Sequence, residues 1–373
     1  MTLGIDASRA NHAQKTGVEW YAYHVIQALK QQIPDTVRVI LYSDTPFTGP
    51  LALLPSHWEA KVLSWPPKRL WTQVRLSYEL FAHPVDVLFI PAHVFPLIHP
   101  KKTVMTIHDI AALRFPDSYS WFERWYSLFS ARYAVKCLWK TITPSAFTKQ
   151  ELQMFVPTAN NSTVIPHGYS AEYEGNVDAE SVEQLCGRYA IRSPYILSIG
   201  RLETKKNTVG LLRAYERFRD KYGMMVQLVL IGKPGHGFDQ VEACLETHPY
   251  RPDIVTTGWL EQCDSTILLH AAQVFAFPSL YEGFGLPVLE ACASGVPVIA
   301  SKGHCLEEVG GAAAIYLDSN DTEAWADALY QVMTDQTLRV RMIEKGKEQA
   351  KEFSWDACGQ ATADVLIRDS VIA

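Results

Sequence analysis

Two glutamates, Glu282 and Glu290, stand eight residues apart in the stretch PSLYEGFGLPVLEAC, where two glycines flank a phenylalanine. Glycines at 283 and 285 let the backbone approach a ligand closely, and the amides at the start of a helix bind phosphate. A carboxylate accepts hydrogen bonds from paired hydroxyls, such as those of a sugar or a ribose. A diphosphate in the middle with a hydroxylated ring at each end describes a nucleotide sugar.

The elements around this stretch hold the two carboxylates apart. An apolar strand comes before the loop that carries Glu282, and a helix begins at Pro287 and ends before Gly295. Proline just inside the start and glycine just past the end are typical of a helix. Because Glu282 precedes the helix and Glu290 lies in its first turn, the two side chains cannot share a helix face. We therefore expect them to hold opposite ends of one elongated ligand.

Short apolar stretches alternate with longer amphipathic ones along the whole chain. The apolar stretches are LGID at 3, VRVILY at 37, VLFI at 87, TVMTI at 103, TVIP at 163, YILSIG at 195, VQLVLIG at 226, VFAFP at 274 and VPVIAS at 296. Strands that alternate with helical segments predict βαβ units and parallel sheets. The polar stretch 171–193 shows no strand pattern and separates two such series, so we place a domain boundary near residue 185.

The predicted fold class is α/β, with two Rossmann-like doubly wound domains that face a central cleft. Residues 1–185 form the first domain and residues 186–352 the second, in keeping with a length of 373 residues. Ligands of such domains bind beyond the carboxyl ends of the strands. Residues 353–373 are predicted to form an amphipathic helix, and its periodicity leaves open whether it packs on the second domain or back on the first.

Composition excludes several classes of protein. With 48% hydrophobic residues and no apolar run of roughly 18 residues, the chain is predicted to be globular without a membrane span. No signal peptide is visible at the N-terminus, which predicts a cytoplasmic protein. Seven cysteines without a C-x-x-C pair, and no H-E-x-x-H or Asp-x-Asp spacing, predict neither a disulfide scaffold nor a metal site. The formal net charge of −6 argues against nucleic-acid binding.

The segment from 59 to 149 differs from the rest of the chain, because its twelve Lys and Arg outnumber its six Asp and Glu. It combines tryptophans and phenylalanines with cations: Trp65, Trp71, Trp121, Phe122, Trp125, Phe129 and Trp139 beside Lys68, Arg69, Arg75, Arg124, Arg132, Lys136 and Lys140. Such a mixture suits an anionic lipid surface, at the inner face of a membrane. The alternative is that the aromatic residues form core and the cations a solvated face.

Five further stretches occur in order along the chain: KTGVEWY at 15–21, TIHD at 106–109, TPS at 143–145, GRLETKKN at 200–207 and TGWL at 257–260. Together with the two glutamates they resemble the retaining glycosyltransferases of family 4, which have the GT-B fold. The resemblance covers nearly the whole chain. One departure is that the first loop has a single glycine, Gly17, where many members carry two.

The resemblance implies five catalytic residues, His108, Asp109, Arg201, Lys206 and Glu282. Arg201 and Lys206 would hold the donor diphosphate, and preorganised cations stabilise the charge that develops there as the glycosidic bond breaks. Glu282 would bind hydroxyls of the transferred sugar, which His108 and Asp109 would face from the first domain. The resemblance also implies retention at the anomeric carbon by front-face attack, with the leaving phosphate taking the acceptor's proton.

The same resemblance implies a set of donor-binding residues: Gly17, Ser145, Gly200, Lys233, Leu260, Gly283, Phe284, Gly285, Leu286 and Glu290. Glu290 would hold the ribose hydroxyls, and the loop before it would supply amides to the phosphates. Recognition of the base depends partly on backbone contacts near Lys233 and Leu260. Residue types do not report these backbone contacts, so a UDP-sugar is the alternative to GDP-mannose, the donor favoured by the further resemblance described next.

The stretches LWTQ at 70–73 and FIP at 89–91 resemble bacterial mannosyl- or rhamnosyltransferases that build surface polysaccharide or lipopolysaccharide. The predicted function is transfer of a hexose from a nucleotide sugar to a glycan or lipid-linked glycan. Two alternatives stay open, a nucleotide-sugar epimerase and a non-catalytic nucleotide-sugar-binding scaffold subunit. A dinucleotide fingerprint is excluded because the third glycine is absent after Gly285, and GKPGHG at 232–237 lacks the G-K-S/T of a P-loop.

Overall fold

The structure, a computed structural model, describes residues 1–66, 69–157 and 161–372. Lys68, one of the cations named above, lies outside the described residues. The chain divides into two compact units, one formed by Met1–Gly168 with Phe353–Ala373 and the other by Tyr169–Glu352. None of the helices in the described ranges is long and apolar enough to cross a membrane.

In the described residues the first unit contains a seven-stranded parallel sheet with the strand order β3-β2-β1-β4-β5-β6-β7. Its strands are β1 (Thr2–Asp6), β2 (Arg38–Ser43), β3 (Trp58–Val62), β4 (Val87–Ile90), β5 (Lys102–Thr106), β6 (Lys140–Thr143) and β7 (Ser162–Val164). The helices between them are α1 (Gly17–Gln32), α2 (Ser77–Ala82), α3 (Ala111–Arg114), α4 (Trp121–Cys137) and α5 (Ala146–Phe155).

The first sheet is buried on both faces. Alternate residues of β4 enter two different cores, because successive side chains of a strand point to opposite sides. Val87 and Phe89 pack in the core that contains α1, and Leu88 and Ile90 pack in the core that contains part of α4. Burial on both faces explains why these strands are continuous apolar runs in the sequence.

The second unit contains, within the described part of the chain, a six-stranded parallel sheet with the order β10-β9-β8-β11-β12-β13. Its strands are β8 (Tyr195–Ile199), β9 (Gln227–Ile231), β10 (Ile254–Gly258), β11 (Val274–Phe277), β12 (Val298–Ser301) and β13 (Ile315–Leu317). Its helices are α6 (Ala179–Tyr189), α7 (Thr208–Tyr222), α8 (Phe238–Glu246), α9 (Gln262–His270), α10 (Leu286–Ala293), α11 (Leu306–Gly310), α12 (Thr322–Thr334) and α13 (Gln336–Ala350).

Each sheet reverses its strand order at one point, between β1 and β4 in the first unit and between β8 and β11 in the second. In open parallel sheets the loops at this switch point leave a crevice where ligands bind. The predicted α/β class with two Rossmann-like domains is confirmed. The loops that follow β8 and β11 carry Lys206 and Glu282, so the second crevice is where the predicted donor site belongs.

The last helix, α14 (Trp355–Ile372), belongs to the first unit. Its buried residues Cys358, Ala363 and Leu366 join the core that α1 covers. Gly359 lies so close to α1 that a β-carbon there would be 2.5 Å from the Ala28 Cβ. Of the two placements that the periodicity left open, the chain adopts the one on the first unit.

The N-terminal segment of the first unit ends at Gly168, and not near residue 185, where the boundary was predicted from the sequence. The polar stretch 171–193 holds α6, which packs against α9 and therefore belongs to the second unit. The strands that the sequence did not predict are β3, β6, β10 and β13. Of these, β3, β10 and β13 lie at sheet edges, where fewer apolar residues are needed.

Candidate functional site

Lys206 and Glu282 contact each other at the switch point of the second unit. Lys206 ends the 3₁₀ turn Thr204–Lys206 after β8, and Glu282 lies in the loop after β11. The Lys206 ammonium donates a hydrogen bond to Glu282 Oε1, and the two side chains are only 20% and 11% exposed. The Lys206 Nζ also lies 5.0 Å from the centre of the Phe277 ring, in cation–π range. Folding thus joins two residues that the sequence predicted separately.

The Glu282 carboxyl is ionised in this environment. Burial raises its pKa, but the positive charges of Lys206 and Lys205 outweigh burial and hold the pKa below its ordinary value. A hydrogen bond from Ser279 acts in the same direction. An ionised carboxylate beside an ammonium can accept hydrogen bonds from the hydroxyls of a sugar while the ammonium binds a phosphate.

The loops that carry the pair are tied together by backbone contacts. The Leu280 N–H donates to the Lys205 carbonyl at 2.8 Å, and the Ser279 hydroxyl donates to the same carbonyl at 3.2 Å. The Ser279 carbonyl in turn accepts from the Ser301 hydroxyl at 2.6 Å and from His304 Nε2 at 3.1 Å. Ser279 and Phe277 were not predicted, because an apolar residue in a strand and a serine just after it carry no distinguishing pattern.

Arg201 and Gly200 lie near Lys206, and together with Thr208 and Phe277 these three residues line a small pocket. The Arg201 side chain is 64% exposed, and its Nε lies 3.8 Å from Glu203 Oε2, a weak contact. An exposed guanidinium that is loosely held can turn toward an anion at the pocket.

The loop after β9 runs beside the loop after β8. A β-carbon on Gly232 would lie 1.9 Å from the Gly200 carbonyl oxygen, so only glycine permits this approach. The Leu202 N–H donates to the Lys233 carbonyl at 2.9 Å. The Lys233 Nζ lies 5.3 Å from the centre of the Trp259 ring, next to the buried Leu260. Lys233 and Leu260 therefore lie in neighbouring loops of one sheet edge, as a base-binding role requires.

The start of α10 has the geometry of an anion site. Gly285 precedes the helix with φ of +98°, and a β-carbon there would lie 2.3 Å from Leu306 Cδ2. Both facts require glycine at this position. Gly283 and Phe284 are buried, and Leu286 begins the helix. The first amides of a helix lack intrahelical partners, and they carry the positive end of its dipole.

Glu290, one turn into α10, hydrogen-bonds with Tyr173. Burial raises the pKa of Glu290 to about 7, and the hydrogen bond from Tyr173 offsets only part of this effect. Tyr173 is buried in the 3₁₀ turn Ala171–Tyr173, inside the polar stretch that the sequence analysis treated as a connection. A carboxyl with a pKa near 7 changes its charge in the physiological range, and Tyr173 orients it.

His108 lies after β5, at the carboxyl edge of the first sheet, and is buried. Its Nε2 lies 3.0 Å from the Pro91 carbonyl, which can only accept, so Nε2 carries the proton. Burial and the neighbouring His93 lower the pKa of His108 to about 4. His108 is therefore a neutral imidazole whose Nδ1 is an acceptor. The rings of Tyr21, His93 and His167 surround it, with centroids 4.7, 5.3 and 5.6 Å away.

The other predicted residues of the first unit lie near helix starts. Asp109 accepts the Ala111 N–H at 2.9 Å at the beginning of α3. Ser145 accepts the Thr148 N–H at 3.0 Å as the N-cap of α5. These bonds give both side chains a structural use besides any ligand contact. Gly17 begins α1, and a β-carbon there would meet nothing within 4 Å, so the protein itself does not require glycine.

Two family models match the chain. The model described as Glycosyltransferase Family 4 matches residues 15–173, and the one described as Glycosyl transferases group 1 matches residues 190–349. The O-antigen chain mannosyltransferase B of Escherichia coli is 32% identical over 263 residues, which are 70% of this chain and 69% of that protein. The serotype-specific mannosyltransferase WbdA of Escherichia coli is 26% identical over 69% of this chain, a match that spans 32% of its own length.

Solved structures share the fold at low sequence identity. Anabaena HepE, crystallised in complex with UDP and glucose, superposes with a TM-score of 0.75 at 16% identity and covers 98% of both chains. WaaG, a glycosyltransferase involved in lipopolysaccharide biosynthesis, gives a TM-score of 0.74 at 16% identity, covering 98% of this chain and 100% of its own.

Proposed function

Because this chain belongs to the family 4 glycosyltransferases (glycosyl transferases group 1), we propose that it transfers a hexose from a nucleotide-diphosphate sugar to a glycan or lipid-linked glycan. The observation that carries this proposal is the contact of Lys206 with Glu282 at the switch point of the second unit. It places a cation for phosphate next to a carboxylate for sugar hydroxyls, beside the glycine-led start of α10.

Mannose is the sugar that the relatives favour. Both Escherichia coli relatives described above are named as mannosyltransferases, and one is named for the O-antigen chain. We propose GDP-mannose as the donor and synthesis of surface polysaccharide or lipopolysaccharide as the process. A UDP-sugar is the second candidate donor, because HepE of the same fold was crystallised with UDP and glucose.

The proposed reaction retains the configuration at the anomeric carbon. The bond from that carbon to the phosphate oxygen breaks, the acceptor oxygen bonds on the same face, and the departing phosphate takes the acceptor's proton. Lys206 and Arg201 stabilise the charge that grows on the diphosphate, as a metal ion does in other enzymes. Metal independence is part of the proposal. Glu282 binds sugar hydroxyls and is not the nucleophile.

The contact of Lys206 with Glu282 suggests how the site responds to the donor. The ammonium already has an anionic partner, and a diphosphate of higher charge competes for it. Hydroxyls of the transferred sugar then donate to the carboxylate and compensate for the weakened ion pair. The role proposed for His108 is a contact with the transferred sugar, for which its neutral ring offers an acceptor at Nδ1.

We also propose that the first unit binds the acceptor at the inner face of a membrane. On α4 the small residues Ser130, Ala131, Ala134 and Val135 are buried, whereas Trp121, Phe122, Trp125 and Phe129 are exposed. Arg124, Arg132 and Lys136 of the same helix are exposed as well. Exposed aromatic residues with neighbouring cations match the headgroup region of anionic lipid. Trp71, by contrast, is buried and belongs to the core.

The first test is a thermal unfolding titration with GDP, UDP and ADP and with their sugars, with and without EDTA. We expect GDP and GDP-mannose to raise the melting temperature, and EDTA to leave the shift unchanged. If only UDP compounds raise the melting temperature, a UDP-sugar replaces GDP-mannose as the proposed donor. If EDTA abolishes the shift, the proposed metal independence is wrong.

Incubation of the preferred donor without acceptor then separates a transferase from an epimerase. NMR of the nucleotide sugar should show no epimer, and transfer should begin when a glycan acceptor is added. If no nucleotide stabilises the protein, the scaffold hypothesis replaces the proposed function.

A further inference from the structure

A column of stacked rings runs through the first unit beside α1. The Trp20 ring stacks on His24 with centroids 5.5 Å apart, and His24 stacks on Trp355 at 4.8 Å and an angle of 12°. Trp355 stacks in turn on His167 at 5.8 Å and 24°. The column joins α1, the first residue of α14 and the segment after β7.

The column ends at His108. The His167 ring is 5.6 Å from His108, and the Tyr21 ring contacts both, 4.5 Å from His167 and 4.7 Å from His108. The hydrogen bond from His108 Nε2 to Pro91 fixes one atom of the imidazole but leaves the tilt of the ring to its neighbours. In a close-packed interior, those neighbouring rings set the tilt.

The backbone around Trp355 leaves little freedom. A β-carbon on Gly168 would lie 2.1 Å from the backbone nitrogen of Trp355, so the chain after His167 packs directly on the start of α14. The Trp355 indole N–H is buried and makes no hydrogen bond to the described residues. The flat ring, and not its polar group, is therefore what this position uses.

We propose that Trp355 is a positioning residue for His108. Trp355 acts through His167 and Tyr21, and it holds the His108 imidazole at the tilt that places Nδ1 toward the transferred sugar. The inference rests on the proposed function, because that function gives His108 its contact with the sugar. It assigns to the C-terminal helix a part in turnover, which Trp355 exerts by positioning His108.

The test compares Trp355→Ala and Trp355→Phe with Leu366→Ala. Leu366 is buried in the same helix and core, so its truncation destabilises the first unit without touching the ring column. Because small displacements of reacting groups cost roughly a hundredfold, we expect Trp355→Ala to lower kcat about tenfold to a hundredfold. The donor KM should stay within about twofold, since most of the groups proposed to bind the diphosphate and the nucleoside lie in the second unit. Trp355→Phe, which keeps a flat ring, should restore most of the rate, and Leu366→Ala should keep kcat near that of the wild type.

An NMR measurement makes the result independent of turnover. The imidazole resonances of His108, assigned with His108→Gln, should shift in Trp355→Ala and stay in place in Leu366→Ala. If Trp355→Ala does not fold, Trp355→Leu replaces it, because it keeps apolar volume without a flat ring. Unchanged His108 resonances, or a loss of kcat no larger than in Leu366→Ala, would overturn the proposal. If the wild type transfers no sugar, the proposed function fails, and the resonances alone decide whether Trp355 positions His108.

Discussion

Lys206 and Glu282 illustrate how a single contact can serve both stability and chemistry. A buried carboxylate keeps its charge only when a cation compensates for lost hydration, and Lys206 supplies that compensation. In the proposed reaction the same ammonium stabilises the leaving diphosphate. Removal of either partner leaves the other charge poorly compensated in a mostly buried place.

We expect Lys206→Ala and Glu282→Gln each to lower kcat at least about a hundredfold, or roughly 2.7 kcal/mol, because each removes a group that stabilises the transition state. Steady-state rates with saturating donor measure the effect. Matched controls are Lys221→Ala and Glu323→Gln, which break an exposed ion pair of the same unit and should leave kcat near that of the wild type. Near-normal rates in both site variants, with folding intact, would contradict the proposed mechanism.

Glu290 predicts a pH dependence of nucleotide binding. Burial raises its pKa to about 7, so the carboxyl is largely neutral at pH 6 and ionised at pH 8. A ribose that donates to the carboxylate requires the ionised form, and the dissociation constant should therefore fall about tenfold from pH 6 to pH 8. Calorimetric titration of nucleotide at both pH values measures this change.

The matched variant Glu290→Gln removes the titrating group and should bind weakly with little pH dependence from this residue. In the absence of nucleotide, the effect of pH on the free energy of unfolding has the opposite sign. A folded-state pKa above the ordinary value stabilises the protein at low pH, and this contribution is lost as pH rises through about 7. If the dissociation constant of Glu290→Gln changes with pH as much as that of the wild type, another group controls the pH dependence of binding.

At the scale of elements, α4 and α10 depart from the usual amphipathic pattern in different ways. Helix α10 is apolar apart from Glu290, and most of its residues after Pro287 are buried; Gly285 and the first amides lie at its start, in the candidate site. Helix α4 buries small residues and exposes large aromatic ones, which is the reverse of a solvated surface helix. Both departures occur where the proposed function places a ligand, the donor for α10 and a lipid surface for α4.

The exposed face of α4 predicts binding to anionic vesicles. Trp121 is 80% exposed and Trp125 is 50% exposed, so their replacement by serine removes little from the core. We expect the double variant to bind vesicles of phosphatidylglycerol and phosphatidylcholine at least about tenfold more weakly than the wild type at low salt, about 1.4 kcal/mol. Vesicle sedimentation measures binding, with Met225→Ser as a control because Met225 is an 89% exposed residue of the second unit. If the wild type ignores anionic vesicles at low salt, the membrane proposal is wrong.

At the scale of the whole molecule, the first unit is assembled from both ends of the chain. Helix α14 contributes Cys358, Ala363 and Leu366 to the core that α1 covers, whereas the second unit is continuous from Tyr169 to Glu352. The first unit therefore completes its core only after the second has been synthesised. Trp355, the first residue of α14, lies where this late segment meets the surroundings of His108.

Local patterns in the sequence were sufficient for the fold class and for most loops of the candidate site. Apolar runs alternating with amphipathic stretches predict parallel sheets, since strands that are buried on both faces must be apolar throughout. The helix after Gly285 was also predicted, because a proline at the start and a glycine past the end act within one turn of the chain.

The sequence by itself thus determined the α/β class, the order of the loops and the chemistry that their residue types allow. Only the tertiary structure decided which residues meet: Lys206 contacts Glu282 across 76 positions, Tyr173 contacts Glu290, and α14 returns to α1. It also decided that the aromatic residues of α4 are exposed while Trp71 is buried. The physical reason is that periodicity and capping depend on neighbours within a few residues, whereas contact and burial depend on how whole elements pack.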